Sequence, residues 1–314
     1  MGFMEYLSTK ETAKRWGVNT SLVRRHFSQG RVPGAIQKDG AWLIPEGTKR
    51  PPKIERPEEA TELPPLAKKL VRQKKKKNFH GLYDYVQTDL TYSSSRMASN
   101  RLTRQQVETI FKKGKVSVSF EPMKVSDLVE VLNHCVCVDY ILDHVEEPLS
   151  QKFIKKLHYM LMFGTVDDRM KKVTPGVYRS KEFTIKGRNL PPSDSISHRL
   201  DLLIKAYESV GEIERNDILN FHVRFEQLCP FDDGNGRIGR LIMFKECLRH
   251  NVMPFVLDDK RRTRYLEGIR NWERDRGILV EVVMEAQSRF DAQIQLQMLA
   301  EHRQSFLPVG FMED

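Results

Sequence analysis

The chain turns on one stretch, Cys229-Pro230-Phe231-Asp232-Asp233-Gly234-Asn235-Gly236-Arg237-Ile238-Gly239-Arg240. Before it, Ile218, Phe221, His222, Phe225 and Leu228 recur at helical spacing and stop at Pro230. After it, Ile238, Leu241, Ile242 and Leu248 trace a second helical face toward His250, ahead of Asn251 and Pro254. A glycine-rich loop therefore opens a helix, and the unpaired N–H groups and dipole of a helix start attract anions. Gly234 and Gly236 let backbone approach a phosphate, and Arg237 and Arg240, three apart, offer guanidinium groups to its oxygens. Asp233 repels bare phosphate, so the pattern calls for Mg²⁺ between them. The competing reading is a tight inter-helix turn with surface arginines.

From about residue 78 onward the sequence reads as helical, with long amphipathic segments over 125–142 and 196–210. One strand pair is expected, Gly176-Val177-Tyr178-Arg179 with Phe183-Thr184-Ile185. The 314 residues carry 52 Lys plus Arg against 42 Asp plus Glu, a net of +10. Residues 1–80 hold 18 basic and 8 acidic side chains, so the remaining 34 of each cancel and the whole excess is amino-terminal. That asymmetry points to a polyanion partner there, although Lys74-Lys75-Lys76-Lys77 also fits a solvated linker end. No apolar run approaches the ~18 residues of a membrane helix, and no signal-peptide pattern appears. Four cysteines are too few for a disulfide scaffold, and Cys135 and Cys137 are too close for easy pairing, so a cytoplasmic location is expected. On a helix these two thiols point apart, which reads His134-Cys135-Val136-Cys137 as buried packing rather than a metal site.

Residues 1–48 form a small unit. Ser8 with Glu11 is a capping box, predicting a helix from near Thr9 with Ala13 and Trp16 inward. Gly17-Val18-Asn19 breaks it, and Thr20 caps a second helix, with Leu22, Val23 and Phe27 inside, that ends at Gly30. Asp39-Gly40 between apolar segments signals a hairpin. The unit resembles the winged helix-turn-helix of excisionase and MerR-type DNA binders. That likeness implies Ser21, Arg24, Arg25 and His26 in a groove and Arg31 and Lys38 near phosphates. A small helical module that binds protein is the alternative. Residues 49–78, with Pro51, Pro52, Pro57, Pro64 and Pro65, read as a charged linker without a long helix.

The loop resembles the Fic (Fido) family motif, HPFx[DE]GNGRxxR, at eleven of twelve places, and the likeness runs through most of residues 80–290. It includes Gly176-Val177-Tyr178-Arg179 and Pro191-Pro192 around a flap. The arrangement is similar to a bacterial Fic subgroup with a leading winged helix-turn-helix. The resemblance implies a mainly α fold: a helical core with a β-hairpin flap over residues 79–314. It implies transfer of AMP from ATP to a Ser, Thr or Tyr hydroxyl of a target protein. By position, Asp233 resembles the Mg²⁺ ligand, Gly234, Asn235, Gly236 and Arg237 the triphosphate cradle, and Arg240 the outer-phosphate clamp. Phe183, Thr184 and Ile185 would dock the target by strand addition.

Two departures stand out. Cys229 occupies the place of the family's catalytic His, which takes the proton from the attacking hydroxyl. A thiol of pKa ~8.5 is mostly protonated at neutral pH, and loss of a general base costs ~10² to 10⁴ in rate. His222, seven residues earlier and about 10 Å along the axis, reads as a core or supporting histidine. Upstream, within 91–105, Ser94-Ser95-Arg96-Met97-Ala98-Ser99 resembles the family's inhibitory helix, [ST]xxxE[GN], with Ala98 in the Glu place and Ser99 after it. Without that Glu, Arg240 is expected to be free for a γ-phosphate. Three functions follow: a transferase slowed or altered by Cys229, a DNA-binding regulator whose Fic domain senses nucleotide without transfer, or a scaffold.

Overall fold

The computed structural model describes residues 6–18, 20, 23, 32–38, 41–51, 63–78, 80–115, 124–180, 182, 184–185 and 188–305. The chain divides into two units, Met1–Glu62 and Leu63–Asp314.

In the first unit, β1 (Tyr6–Ser8) leads into α1 (Thr9–Trp16), and β2 (Ile36–Lys38) and β3 (Ala41–Pro45) form a hairpin. The sheet order is β1-β3-β2, with Lys38 opposite Ala41 across the turn. The capping box closes as expected: Ser8 N donates to Glu11 Oε2 at 2.8 Å and Glu11 N to Ser8 Oγ at 3.3 Å. Gly17, left-handed at φ 64°, ends the helix. Ala13, Val23, Val32 and Ile44 form a small core beneath Trp16 and Trp42. Thr20 is helical, but Leu22, Phe27 and Gly30 lie outside the described residues. So do Ser21, Arg24, Arg25, His26 and Arg31, and of Lys38 the described part is its strand backbone.

The second unit begins with a correction. Pro65–Lys75, read as linker, is a helix (α2), because Pro64 and Pro65 stand at its cap and first turn, where a missing N–H costs nothing. Its Ala67 and Leu70 are fully buried in the main core. Next come α3 (Leu82–Met97), α4 (Arg104–Lys113), α5 (Val125–Asp143), α6 (Gln151–Met162) and the short α7 (Val166–Arg169). The strands β4 (Thr184–Ile185) and β5 (Arg188–Asn189) precede α8 (Ile196–Glu208), α9 (Arg215–Leu228), α10 (Asn235–Arg249), α11 (Arg262–Asn271) and α12 (Gly277–Ser305). The predicted partner of Thr184 and Ile185 is also corrected. They pair antiparallel with Asn189 and Arg188, while residues 176–179 run as an irregular segment. The backbone of Arg179 explains this, since its N–H is committed to Pro230 O at 2.9 Å rather than to a ladder, and its side chain anchors the same stretch to Cys229 O and Pro191 O.

Helix α10 is the axis of the unit, with 13 of its 15 residues buried. A helix buried all round must satisfy its polar side chains internally. Lys245 binds Glu246 at 2.7 Å and also Glu147 O. Glu246 accepts from Tyr207 Oη at 3.0 Å, and Arg249 reaches Glu208 at 2.7 Å. Among the described residues no helix is long and apolar enough to cross a membrane.

Candidate functional site

The decisive loop joins α9 to α10. Cys229 caps α9 in the left-handed region at φ 48°, ψ 64°, unusual for a residue with a side chain. Buried Arg179 holds it there: its Nε donates to Cys229 O at 2.9 Å, its N–H to Pro230 O at 2.9 Å, and Nη2 to Pro191 O at 2.5 Å. Asn235 closes the loop from the other side. Its Oδ1 accepts from Phe231 N and its Nδ2 donates to Phe231 O, both at 2.9 Å, and Nδ2 also reaches Cys229 Sγ at 3.2 Å. Gly234, left-handed at φ 78°, starts α10. Helix geometry leaves the N–H groups of Asn235, Gly236 and Arg237 without intrahelical acceptors, at the helix start where the sequence reading expects an anion to bind. A Cβ at Gly236 would meet Arg240 Nη1 at 2.9 Å and Glu226 Oε1 at 3.3 Å, so a larger residue there would push these side-chain ends aside.

An open cavity of about 190 Å³ faces this helix start, with Asp233, Gly234, Gly236, Arg237 and Arg240 on one side and Ala98, Arg262 and Tyr265 among its other walls. The two arginines are both engaged. Arg237 bridges Glu130 at 2.8 Å and Asp233 at 2.9 Å. Arg240 is not free, correcting the expectation drawn from Ala98. Its Nε donates to Ser94 Oγ at 3.0 Å and its Nη2 to Ser94 O at 2.9 Å. With alanine at 98 lining the same cavity, the guanidinium settles on Ser94 near the end of α3. The segment 91–105 is not one helix either: α3 ends at Met97, Ala98 caps it, Ser99 turns left-handed at φ 73°, and α4 starts at Arg104.

The titration of the site follows from burial. The Cys229 thiol is pushed up to about 11 by desolvation and then by the Glu226 carboxylate, so it stays protonated. His222 is pushed down to about 3 by burial and by Arg240, and its Nε2 lies 2.6 Å from Tyr265 Oη. It is a core histidine, as the spacing predicted. His158 is pushed down to about 4 by burial; Gly176 N donates to its Nδ1 at 2.9 Å, so Nε2 carries the hydrogen given to Asp233 O at 3.1 Å. His134 is buried against Thr91 at 3.0 Å and pushed down to about 3. Cys135 and Cys137 are buried thiols raised by desolvation, the packing role expected of them.

Among the described residues no three His, Cys, Asp or Glu side chains gather for a metal. Mg²⁺ arriving with a triphosphate needs only one or two protein carboxylates, and Asp233, 55% exposed at the cavity edge, meets that requirement. Of the flap residues, Thr184 is an exposed strand residue, Ile185 is described by its strand backbone, and Phe183 lies outside the described residues.

Sequence reasoning missed Glu130, Glu226 and the buried anchor role of Arg179. Glu226, one turn before Cys229 on α9, is raised by burial against the pull of Arg240, and its spacing could have revealed it. Nothing local marks Glu130, which is 107 residues from its partner.

Residues 148–247 match the family model described as Fic/DOC family. A probable protein adenylyltransferase of Aquifex aeolicus is 25% identical over 111 residues, 34% of each chain. The protein adenylyltransferase Fic of Drosophila melanogaster is 24% identical over 183 residues, 55% of this chain and 35% of that one. The chain thus spans about a third of the length of these curated relatives. A Fic domain containing signaling protein from Bacteroides thetaiotaomicron shares the fold at TM-score 0.58 and 19% identity, covering 75% of this chain and 91% of that one. A Fic-1 fragment from C. elegans does so at 0.58 and 17%, covering 76% and 74%.

Proposed function

We propose that this protein, which carries a Fic/DOC-family domain in residues 148–247, is a Fic-type protein adenylyltransferase slowed at its proton-transfer step. The observation that supports the reading is geometric: Cys229 caps α9 with its Sγ 3.2 Å from Asn235 Nδ2 at the opening of α10, and burial favours its protonated form. In the transfer, a target Ser, Thr or Tyr oxygen bonds to the α-phosphorus of ATP, the bond to the β-phosphate oxygen breaks, pyrophosphate leaves, and the hydroxyl proton needs an acceptor. A protonated thiol cannot take that proton. The N–H groups that open α10 bind the phosphates, and Asp233 would hold Mg²⁺, which supplies charge neutralisation when bound. Arg240 exchanges Ser94 for a terminal phosphate, while Thr184 and the β4–β5 pair offer an edge to the target.

Incubation with radiolabelled ATP and Mg²⁺ tests this. Self-labelling should rise by ~10² to 10⁴ in Cys229→His, which restores a base. Adding Ala98→Glu should lower it again, since residue 98 and Arg240 line one cavity. A wild type as fast as the His variant would show that Cys229 works as it stands.

A second reading is favoured by the net +10 of residues 1–80: a DNA-binding regulator of bacterial type whose Fic domain senses ATP without transferring AMP. Duplex affinity of the full chain should then fall steeply with salt and weaken in Arg24→Ala plus Arg25→Ala. An inert Cys229→His variant that still binds ATP would favour this reading.

A further inference from the structure

Helix α6 has two working faces. The buried one presents His158 to the loop backbone at Asp233. The other carries Tyr159 and, one turn on, Phe163, which are 41% and 57% exposed with their rings stacked at 5.3 Å. Gly176 closes on Tyr159, where a Cβ would lie 3.2 Å from the tyrosine Cβ, and the next residue, Val177, is 51% exposed. Val166 and Met170, 36% and 64% exposed, follow on the turn after Phe163. Scattered apolar residues need no explanation, but a stacked, exposed aromatic pair against which Gly176 closes, with exposed Val166, Met170 and Val177 in the adjoining segments, marks an interaction surface.

Charge identifies the partner. Residues 151–178 hold Lys152, Lys155, Lys156, Arg169, Lys171 and Lys172 against Asp167 and Asp168, so 6 − 2 gives +4. Asp167 lies 3.8 Å from Lys172 and Asp168 accepts from Gly164 N; both carboxylates are in that count, so the segment stays at +4. Residues 81–314 are neutral in sum, so this is a local excess. Lys156 Nζ sits 5.3 Å from the Tyr159 ring centre, holding positive charge at the aromatic pair itself.

We propose that this lysine-rimmed apolar face docks an acidic protein segment carrying aromatic or aliphatic side chains. Single-stranded nucleic acid is the weaker fit, because Tyr159 and Phe163 stack on each other and their neighbours are aliphatic, which suits side-chain burial over base stacking. The proposal rests on the transferase reading only in making that segment part of the protein to be modified.

The test uses the full chain and fluorescein-labelled twelve-residue peptides followed by anisotropy. One peptide alternates Glu with Phe and Leu, a second carries Lys for Glu, and a third carries Ser for the apolar residues. Only the first should bind well, and Phe163→Ser and Lys156→Glu should each weaken it ~5- to 10-fold with the melting temperature unchanged. Failure of the first peptide, equal binding of the second or third, indifference to both substitutions, or tighter binding of a dT oligonucleotide would each overturn the proposal. Calorimetry with Mg²⁺–ATP separates the two readings: lost ATP binding with retained peptide binding unseats the transferase and leaves the dock.

Discussion

Arg237 and Arg240 lie one turn apart on α10 and are almost equally buried, at 4% and 6%, yet one is held by direct ion pairs and the other by hydrogen bonds to neutral groups. Toward α5, Arg237 meets two carboxylates, Glu130 and Asp233. Toward α3, Arg240 hydrogen-bonds the hydroxyl and carbonyl of Ser94, and from α9 the buried Glu226 carboxylate shares its field without a direct ion pair. A buried charge that loses a charged partner leaves an uncompensated ion, whereas a charge bonded to neutral groups exchanges them at little cost. Arg237 is therefore part of the frame, and Arg240 is the guanidinium poised to change partners when phosphate arrives.

The largest expected effect acts on both regions at once. His134, His158 and His222 flank the arginines, and burial followed by arginine charge holds all three below the usual value of 6.5. A base depressed in the folded state contributes stability that is complete above its unfolded pKa and is lost as pH falls below it. Each histidine should thus cost about 1.4 kcal/mol per pH unit between about pH 6.5 and 5. Urea midpoints that stay flat across this window would contradict the buried, neutral assignment.

Arg237→Ala comes next, with a loss of ~3 kcal/mol, because Glu130 is already raised by burial and would lose its cation. Arg240→Ala should cost about half as much, ~1.5 kcal/mol, because it loses hydrogen bonds to Ser94, and Glu226, with no direct ion pair to Arg240, can take up a proton instead. Denaturant unfolding of both variants decides the ranking, and the reverse order breaks the comparison. The smallest effect is Ser94→Ala, which should leave folding nearly intact and tighten Mg²⁺–ATP binding by ~3-fold, since Arg240 loses the hydroxyl and keeps only the carbonyl of residue 94. Calorimetry showing weaker ATP binding in Ser94→Ala would make the serine a ligand rather than a competitor.

What was legible beforehand had local causes. The capping box at Ser8 and Glu11 closed as read. The helices over 125–142 and 196–210 appear as Val125–Asp143 and Ile196–Glu208 because apolar spacing sets which face is buried. Proline was misread over 65–75, where position rather than presence matters: at a helix start it is favourable. Residues 176–179 alternate like a strand, but Arg179 is drawn away by carbonyls of a loop 50 residues later.

The sequence by itself determined the parts whose physics spans a few residues: helix, loop, glycines at the anion nest, and a thiol where the resemblance expects an imidazole. Tertiary structure alone decided their partners. Glu130 is 107 residues from Arg237 and Ser94 is 146 from Arg240, and neither separation leaves a periodic trace. Which carboxylate or hydroxyl meets a guanidinium depends on how α3 and α5 pack on α10. The same packing removes water from Cys229 and so keeps its proton in place.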